Sequence, residues 1–433
     1  MSCLSERVGL CLVLVVVVVV SWGCTSGIKT LMPTPVVYTE LGKGPVDHVP
    51  ESERFTNRRV YYATTRTRTT DMRRVDYGNK LSDQVSVGLS LIGFGSPSLS
   101  WEALQEVVSR REREESVVLT VNGVVEAGGF DPAGTTEEIV ETTGVGWWMH
   151  DLNDSIGDAR DKDLMIYVHG AKVDFYNGNA FAAQIDHFMG RDMTSLAFCW
   201  PTHQDIFHYA FGSDMERGRA SAESLARLLE VLAEKSAARR IHIVAWSAGA
   251  RVLTQALASL HDRQAPLLSE GASLREKLRL GTVYFVAGDV ERDLFLDSIG
   301  RISSLSERVI VSASSNDIAL INAKFFMGGQ TRIGQKDGSM TAEEAEMIEG
   351  LGNVMALDVS LGAETRGFDI TGHEYWFTNP WASTDVVLAV RTDLGPAERG
   401  LVQSKYGFVW ALPADYPERL RDLPPREMLR REE

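Results

Sequence analysis

The sequence predicts an α/β protein with a mainly parallel central sheet, helices on both faces, and extra strands with a hairpin at the N-terminal side. Three observations carry this expectation. From Leu164 onward, apolar runs of four to six residues alternate with amphipathic helical stretches. Those runs are apolar throughout, as strands are when a parallel sheet is covered on both faces by crossover helices. Before Leu164, apolar and polar residues alternate one by one, which suits half-buried strands.

Element by element, the strand-like stretches begin at residues 60–63 (Val60, Tyr61, Tyr62, Ala63) and continue at 84–92, where Val85, Val87, Leu89 and Leu91 alternate with polar neighbours. Residues 117–125 contain Asn122-Gly123 between β-branched runs, a strong hairpin signal. The mixed-charge run 110–115 reads as the solvated end of a helix. Strands are then predicted at 164–168, 195–199, 241–245, 282–287, 309–312 and 354–359. Helices are predicted at 179–189, 220–235, 248–260 and 341–351. Leu225, Leu228, Leu229 and Leu232 share one face of the second helix, and Glu223 and Arg227 make an i,i+4 pair on another. Thr341 and Glu344 form a capping box for the last.

The chain has 433 residues, 44% hydrophobic and 24% charged, which excludes a largely disordered protein. A net charge of −15 argues against binding nucleic acid, whose phosphates need cationic surface. It also argues against a broad electrostatic hold on anionic lipid. No phosphate-binding loop or dinucleotide fingerprint is present. His203 and His208 lie in an aromatic loop without the spacing of a helical metal pair, and read as a pocket wall.

The N-terminus differs in kind. Arg7 precedes an apolar run over residues 8–20, interrupted by Gly9, that is too short to span a bilayer and has the size of a signal-peptide core. Gly23-Cys24 after such a run resembles the lipobox of bacterial lipoproteins, with Ser21 and Trp22 departing from its usual Leu and small residue. The resemblance implies lipidation of Cys24 and export to the cell envelope; a plain cleaved signal and an uncleaved anchor are the alternatives. The expected division is 1–23 signal peptide, 24–57 flexible tether, 58–412 main α/β domain and 413–433 charged surface tail. Of the other cysteines, Cys3 and Cys11 fall in the expected signal, and Cys199 lies in an apolar strand run that suits a buried structural thiol.

The stretch carrying chemistry is Ala245-Trp246-Ser247-Ala248-Gly249, flanked by an apolar strand and a helix. A nucleophile elbow requires that context, with small residues two before and two after the serine to avoid collision. Ser247 would then project above the carboxyl edge of the sheet, at a helix N-terminus. A serine needs a base. His261 lies some thirteen residues along the following helix, about 20 Å away at 1.5 Å per residue, and cannot return. His373, in Thr371-Gly372-His373-Glu374, is the remaining downstream histidine and the expected base. The acid between them is assigned to Asp317, after the second strand following the elbow, with Asp289, after the first, in reserve. Backbone N–H groups of Ala248 and Ala171 are the expected oxyanion donors, the latter in a turn begun by His169-Gly170. His169 itself reads as part of that turn.

With these residues in place, the chain resembles the α/β-hydrolase superfamily, and within it a bacterial esterase/lipase-like subgroup of mostly unassigned function. The matching pieces are Tyr62-Ala63-Thr64-Thr65-Arg66, Val168-His169-Gly170, Phe198-Cys199-Trp200-Pro201, residues 241–249, Ser314-Ser315-Asn316-Asp317-Ile318-Ala319-Leu320, Arg332-Ile333-Gly334 and Gly372-His373-Glu374-Tyr375. Trp246 and Ala171-Lys172 depart from the subgroup's usual His and Tyr-Asn. The resemblance implies a serine hydrolase acting on a small-molecule carboxylic ester through an acyl-enzyme, with no metal or cofactor. Acyl transfer with the same triad, and a non-catalytic envelope binding protein, are the competing readings.

Overall fold

The computed structural model describes residues 29–71, 73–205, 208, 212–317, 320, 330–336, 340–361, 375–404 and 406–423. Their strands are β1 (Asn57–Arg68), β2 (Tyr77–Phe94), β3 (Leu119–Phe130), β4 (Leu164–Val168), β5 (Thr194–Cys199), β6 (Ile241–Trp246), β7 (Leu280–Val286), β8 (Ser306–Ala313), β9 (Val354–Asp358), β10 (Val402–Gln403) and β11 (Val409–Ala411). The main helices are α1 (Val36–Glu40), α2 (Trp101–Ser109), α3 (Thr143–Asp158), α4 (Phe175–Phe188), α5 (Ser213–Lys235), α6 (Ala248–Gln264), α7 (Arg292–Leu305), α8 (Ala342–Leu351), α9 (Pro380–Arg391) and α10 (Tyr416–Arg419).

The strands form one sheet in the order β10-β11-β9-β8-β7-β6-β4-β5-β1-β2-β3. The stretch from β1 to β9 is parallel across β1, β5, β4, β6, β7, β8 and β9. β2 and β3 add antiparallel strands at one edge, and β10 pairs antiparallel with β11 at the other. Period-two alternation splits each central strand between two cores. Tyr167, Val244, Trp246 and Tyr284 face the layer of α2, α4 and α9. Ile166, Val168, Ile243, Ala245 and Phe285 face the layer of α3, α5, α6, α7 and α8. Both faces are covered, which is why these strands read as continuous apolar runs. Each fully buried aliphatic side chain contributes about 1.5–3 kcal/mol.

The chain passes from β4 through α4 to β5 on one side, then returns through α5 to β6 on the other side of β4. Strand order therefore reverses between β4 and β6. In open α/β sheets that reversal opens a crevice at the carboxyl ends of the strands, where ligands bind. Ser247 follows β6 and His169-Gly170 follows β4, so both stand at this crevice.

The capping box at Thr341 forms as expected, with both reciprocal hydrogen bonds present. Four expectations need correction. Asn122-Gly123 is not a hairpin turn but lies inside β3. Ile92 pairs with Val121 and Leu91 with Gly123, so Asn122 is the extra residue of a β-bulge, and its amide donates to Asn57 Oδ1 at 2.8 Å. Arg227 pairs with Glu230 at 2.6 Å, not with Glu223, because Glu223 turns to Ser259 on α6.

The expected tether is packed from Lys29 onward. Leu31, Met32, Val36, Val37, Tyr38, Val46 and Val49 are buried in the core layer of α4 and α9. The Met32 N–H donates to Gln184 Oε1 at 2.9 Å, and the Val37 N–H to Thr384 Oγ1 at 3.2 Å. Pro33, Pro35, Gly42 and Gly44 give this arm a loop-like composition, but its apolar residues bury enough surface to order it. The expected tail is likewise ordered as far as Leu423, with Tyr416 and Leu420 buried. Residues 1–28, including Cys24 and the expected signal, lie outside the described residues, as do 424–433. Among the described residues no helix is long and apolar enough to cross a membrane.

Candidate active site

Ser247 is the hinge between β6 and α6, with φ 54° and ψ −123°. A non-glycine residue there is strained, and persists only when its surroundings hold it. Three backbone hydrogen bonds do so. The Ser247 N–H donates to Val286 O at 2.9 Å, and the Ser247 carbonyl accepts from Ala250 N at 3.0 Å and Asp289 N at 3.1 Å. The small residues demanded by the turn have visible causes. A Cβ on Gly249 would lie 2.5 Å from the carbonyl oxygens of both Val168 and His169. A Cβ on Gly170 would lie 3.0 Å from Ser247 Cβ, so the turn after β4 passes directly against the serine. Ala245 is fully buried between its neighbours Val168 and Phe285.

Asp317 follows β8, two strands from the elbow strand, and is fully buried, with Oδ1 accepting from the Leu320 N–H at 3.0 Å. Its loop is tied down on the β9 side. The Ser315 N–H donates to Ser360 Oγ at 2.9 Å, and Asn316 Nδ2 to the Ser360 carbonyl at 3.0 Å. His373 lies outside the described residues, which resume at Tyr375. Ser360 is bonded to the Asp317 loop. On the other flank, the Phe377 ring packs 5.2 Å from the ring of Trp246, the residue immediately before Ser247.

Asp289 has a different setting. It is buried, its backbone N–H holds the Ser247 carbonyl, and its carboxylate pairs with the fully buried Arg332 at 3.2 Å. Arg332 also reaches Glu291 at 2.7 Å, and Glu291 meets Arg251 of α6 at 2.5 Å. Burial opposes the charge on Glu291, but the two guanidinium groups prevail and bring its pKa down to about 2. No spacing along the sequence marks this chain of charges beneath the elbow. The Arg332-Ile333-Gly334 motif was its only trace. Gly334 is there because a Cβ would sit 2.6 Å from the backbone of Ala287 and Gly288, with Ala287 itself at φ 47°.

At the β4 side, His169 is fully buried and its Nδ1–H donates to the Gly170 carbonyl at 2.7 Å. Burial, helped by Arg66, lowers its pKa to about 3, so the ring is neutral at physiological pH. Cys199 is buried too, and burial pushes its thiol up to about 12, which suits structure and not nucleophilic attack.

A family model described as "Alpha/beta hydrolase of unknown function (DUF900)" matches residues 148–388, more than half of the chain. The chain belongs to that family. The matched span runs from α3 through α9 and contains the elbow, both acid candidates and His373. No curated protein matches. Among solved structures, the chain is similar to the Pyrococcus horikoshii acylaminoacyl peptidase at 10% identity and a TM-score of 0.24, covering 70% of this chain. The chain spans about half (48%) of that protein's length.

Proposed function

We propose that this hydrolase cleaves small-molecule carboxylic esters through an acyl-enzyme on Ser247. The observation that carries the reading is the strained serine backbone at φ 54°, ψ −123°, seated between a buried strand and a helix N-terminus, with Gly170 against it. In the proposed cycle, Ser247 Oγ attacks the ester carbonyl carbon while the His373 imidazole takes its proton. The Ala248 and Ala171 N–H groups receive the resulting oxyanion. The imidazolium then gives its proton to the departing alkoxide, leaving an ester on Ser247. Water repeats the sequence and releases the acid. Asp317 holds the imidazole in one tautomer and stabilises its charged form. The steps need no metal or cofactor.

His373→Ala tests this against a panel of p-nitrophenyl esters. The expected result is a fall in kcat on the order of 10⁴-fold, with binding little changed. Equal rates for the variant and the wild type would remove the proposed base.

The reading places the enzyme in a bacterial cell envelope, lipid-anchored at Cys24. With the arm packed from Lys29, only the residues from Cys24 to Lys29 separate anchor from body, a reach of about 17 Å at full extension. The body would ride close to the bilayer surface. Cys24→Ala is expected to abolish incorporation of labelled palmitate into the protein while leaving ester turnover intact; a variant that still takes up the label would refute the anchor at Cys24.

A further inference from the structure

The turn after β4 is gripped atom by atom, and one grip acts on the expected oxyanion donor itself. The Ala171 N–H shares a peptide unit with the Gly170 carbonyl. That unit is planar and trans, so the two groups point in opposite directions. Whatever holds the Gly170 oxygen therefore aims the Ala171 N–H. The holder is His169 Nδ1–H, at 2.7 Å.

We propose that His169 is a positioning residue of the oxyanion site: a buried imidazole that clamps the Gly170–Ala171 peptide so that its N–H, and not its carbonyl, faces the reacting oxygen at Ser247. The inference rests on the serine-hydrolase reading and deepens it. If that peptide flipped, a carbonyl dipole would oppose the oxyanion where a donor is needed.

The clamp is itself fixed. Trp200, at the end of β5, stacks on the His169 ring with centroids 5.6 Å apart and planes 10° apart, while its Nε1–H donates to the His169 carbonyl at 2.6 Å. Further along the turn, Thr202 Oγ1 donates to the Val173 carbonyl at 2.8 Å. Arg66, at the end of β1, donates to the same oxygen at 2.5 Å. With its amide turned so that nitrogen faces the Lys172 carbonyl and oxygen the Asp174 N–H, Gln204 bridges the two at 3.0 Å and 3.2 Å. Lys172 sits at φ 60°, a backbone setting that needs such support.

The chemistry of the ring agrees. A carbonyl can only accept, so the proton is on Nδ1. The ring is fully buried, and burial together with the nearby Arg66 guanidinium holds it in the neutral form. A ring that stayed charged would have to solvate a second proton inside the core.

The test compares His169→Phe with His169→Asn. Phe keeps a flat ring against Trp200 and loses the donor; the Asn amide places an N–H near the position of Nδ1. Loss of the donor is expected to lower kcat about 100-fold with KM within about twofold, as when an oxyanion donor is lost, and Asn is expected to recover about tenfold or more. Melting curves accompany each variant. A Phe variant that turns over like wild type, or an Asn variant no faster than Phe, overturns the proposal. Should Phe fail to fold, Trp200→Phe removes the hydrogen bond on the His169 carbonyl and keeps a ring in place. A kcat loss of about tenfold at unchanged KM then supports the clamp, and unchanged kcat overturns it. Wild type is run beside them with a fluorophosphonate. An unreactive wild type would sink the hydrolase reading, whereas a reactive wild type matched by His169→Phe sinks only the clamp.

Discussion

Ser247→Ala is expected to leave a folded protein whose ester turnover has fallen on the order of 10⁴- to 10⁶-fold. The change removes one oxygen atom from a side chain that is largely buried. It does not touch the three backbone hydrogen bonds that hold the turn at φ 54°, so the geometry of the elbow survives. Alanine has the same Cβ as serine and is no more strained at this position. What disappears is the atom that would form the acyl-enzyme. The remaining rate would come from the oxyanion donors and substrate binding alone. Melting temperature is the control, and a variant that melts with wild type yet keeps turnover within about tenfold contradicts the assignment.

The second large effect separates the two acid candidates. Asp317→Asn is expected to lower kcat about 10⁴-fold, because an amide in that position favours the wrong tautomer of its histidine. The fold should tolerate it, since the amide oxygen can still accept from the Leu320 N–H, as Oδ1 does at 3.0 Å. Asp289→Asn is expected to do the reverse. Its carboxylate neutralises the buried Arg332, so its loss should cost about 1–3 kcal/mol of stability while kcat stays within about tenfold. Arg332 would keep Glu291 as a partner, which limits the damage. A melting curve and a kcat for each variant decide the matter. If Asp289→Asn abolishes turnover and Asp317→Asn does not, the roles are exchanged.

The parallel half of the fold was legible because its strands are buried on both faces and its helices have one apolar face. Residues 241–260 show both signals in succession, with the small residues of the turn between them. The helices that escaped notice did so for local reasons. In α9, Val386, Val387, Leu388, Ala389 and Val390 are all buried, so no polar face marks a helical period. In α3, Val145, Trp148, Met149, Leu152 and Ile156 do follow a helical spacing, but Gly144, Gly146 and Gly157 weaken the propensity signal. The arm over residues 29–49 has a loop-like look because Pro33, Pro35, Gly42, Gly44 and Pro45 interrupt any helical or strand period, while its buried residues contact partners more than 70 positions away. Asn122-Gly123 shows the limit of a two-residue signal, since the same pair suits a turn or a bulge.

The site was legible where backbone sterics constrain the sequence and illegible where charge does. Gly249 and Gly170 announce close approaches that only glycine permits. The Asp289–Arg332–Glu291–Arg251 chain joins three separate segments, and no spacing along the sequence reveals that they meet. His169 was read as part of a turn, which the structure makes specific: its imidazole holds the carbonyl of the very next residue.

The central claim is that the hydroxyl at the β6–α6 bend is a nucleophile. Treating the protein with a fluorophosphonate and locating the adduct by peptide mass spectrometry tests it most directly. One phosphonyl group on the peptide carrying Ser247, absent from Ser247→Ala, is the result this account predicts. A folded wild-type protein that takes up no label, or carries it on another residue, would contradict it.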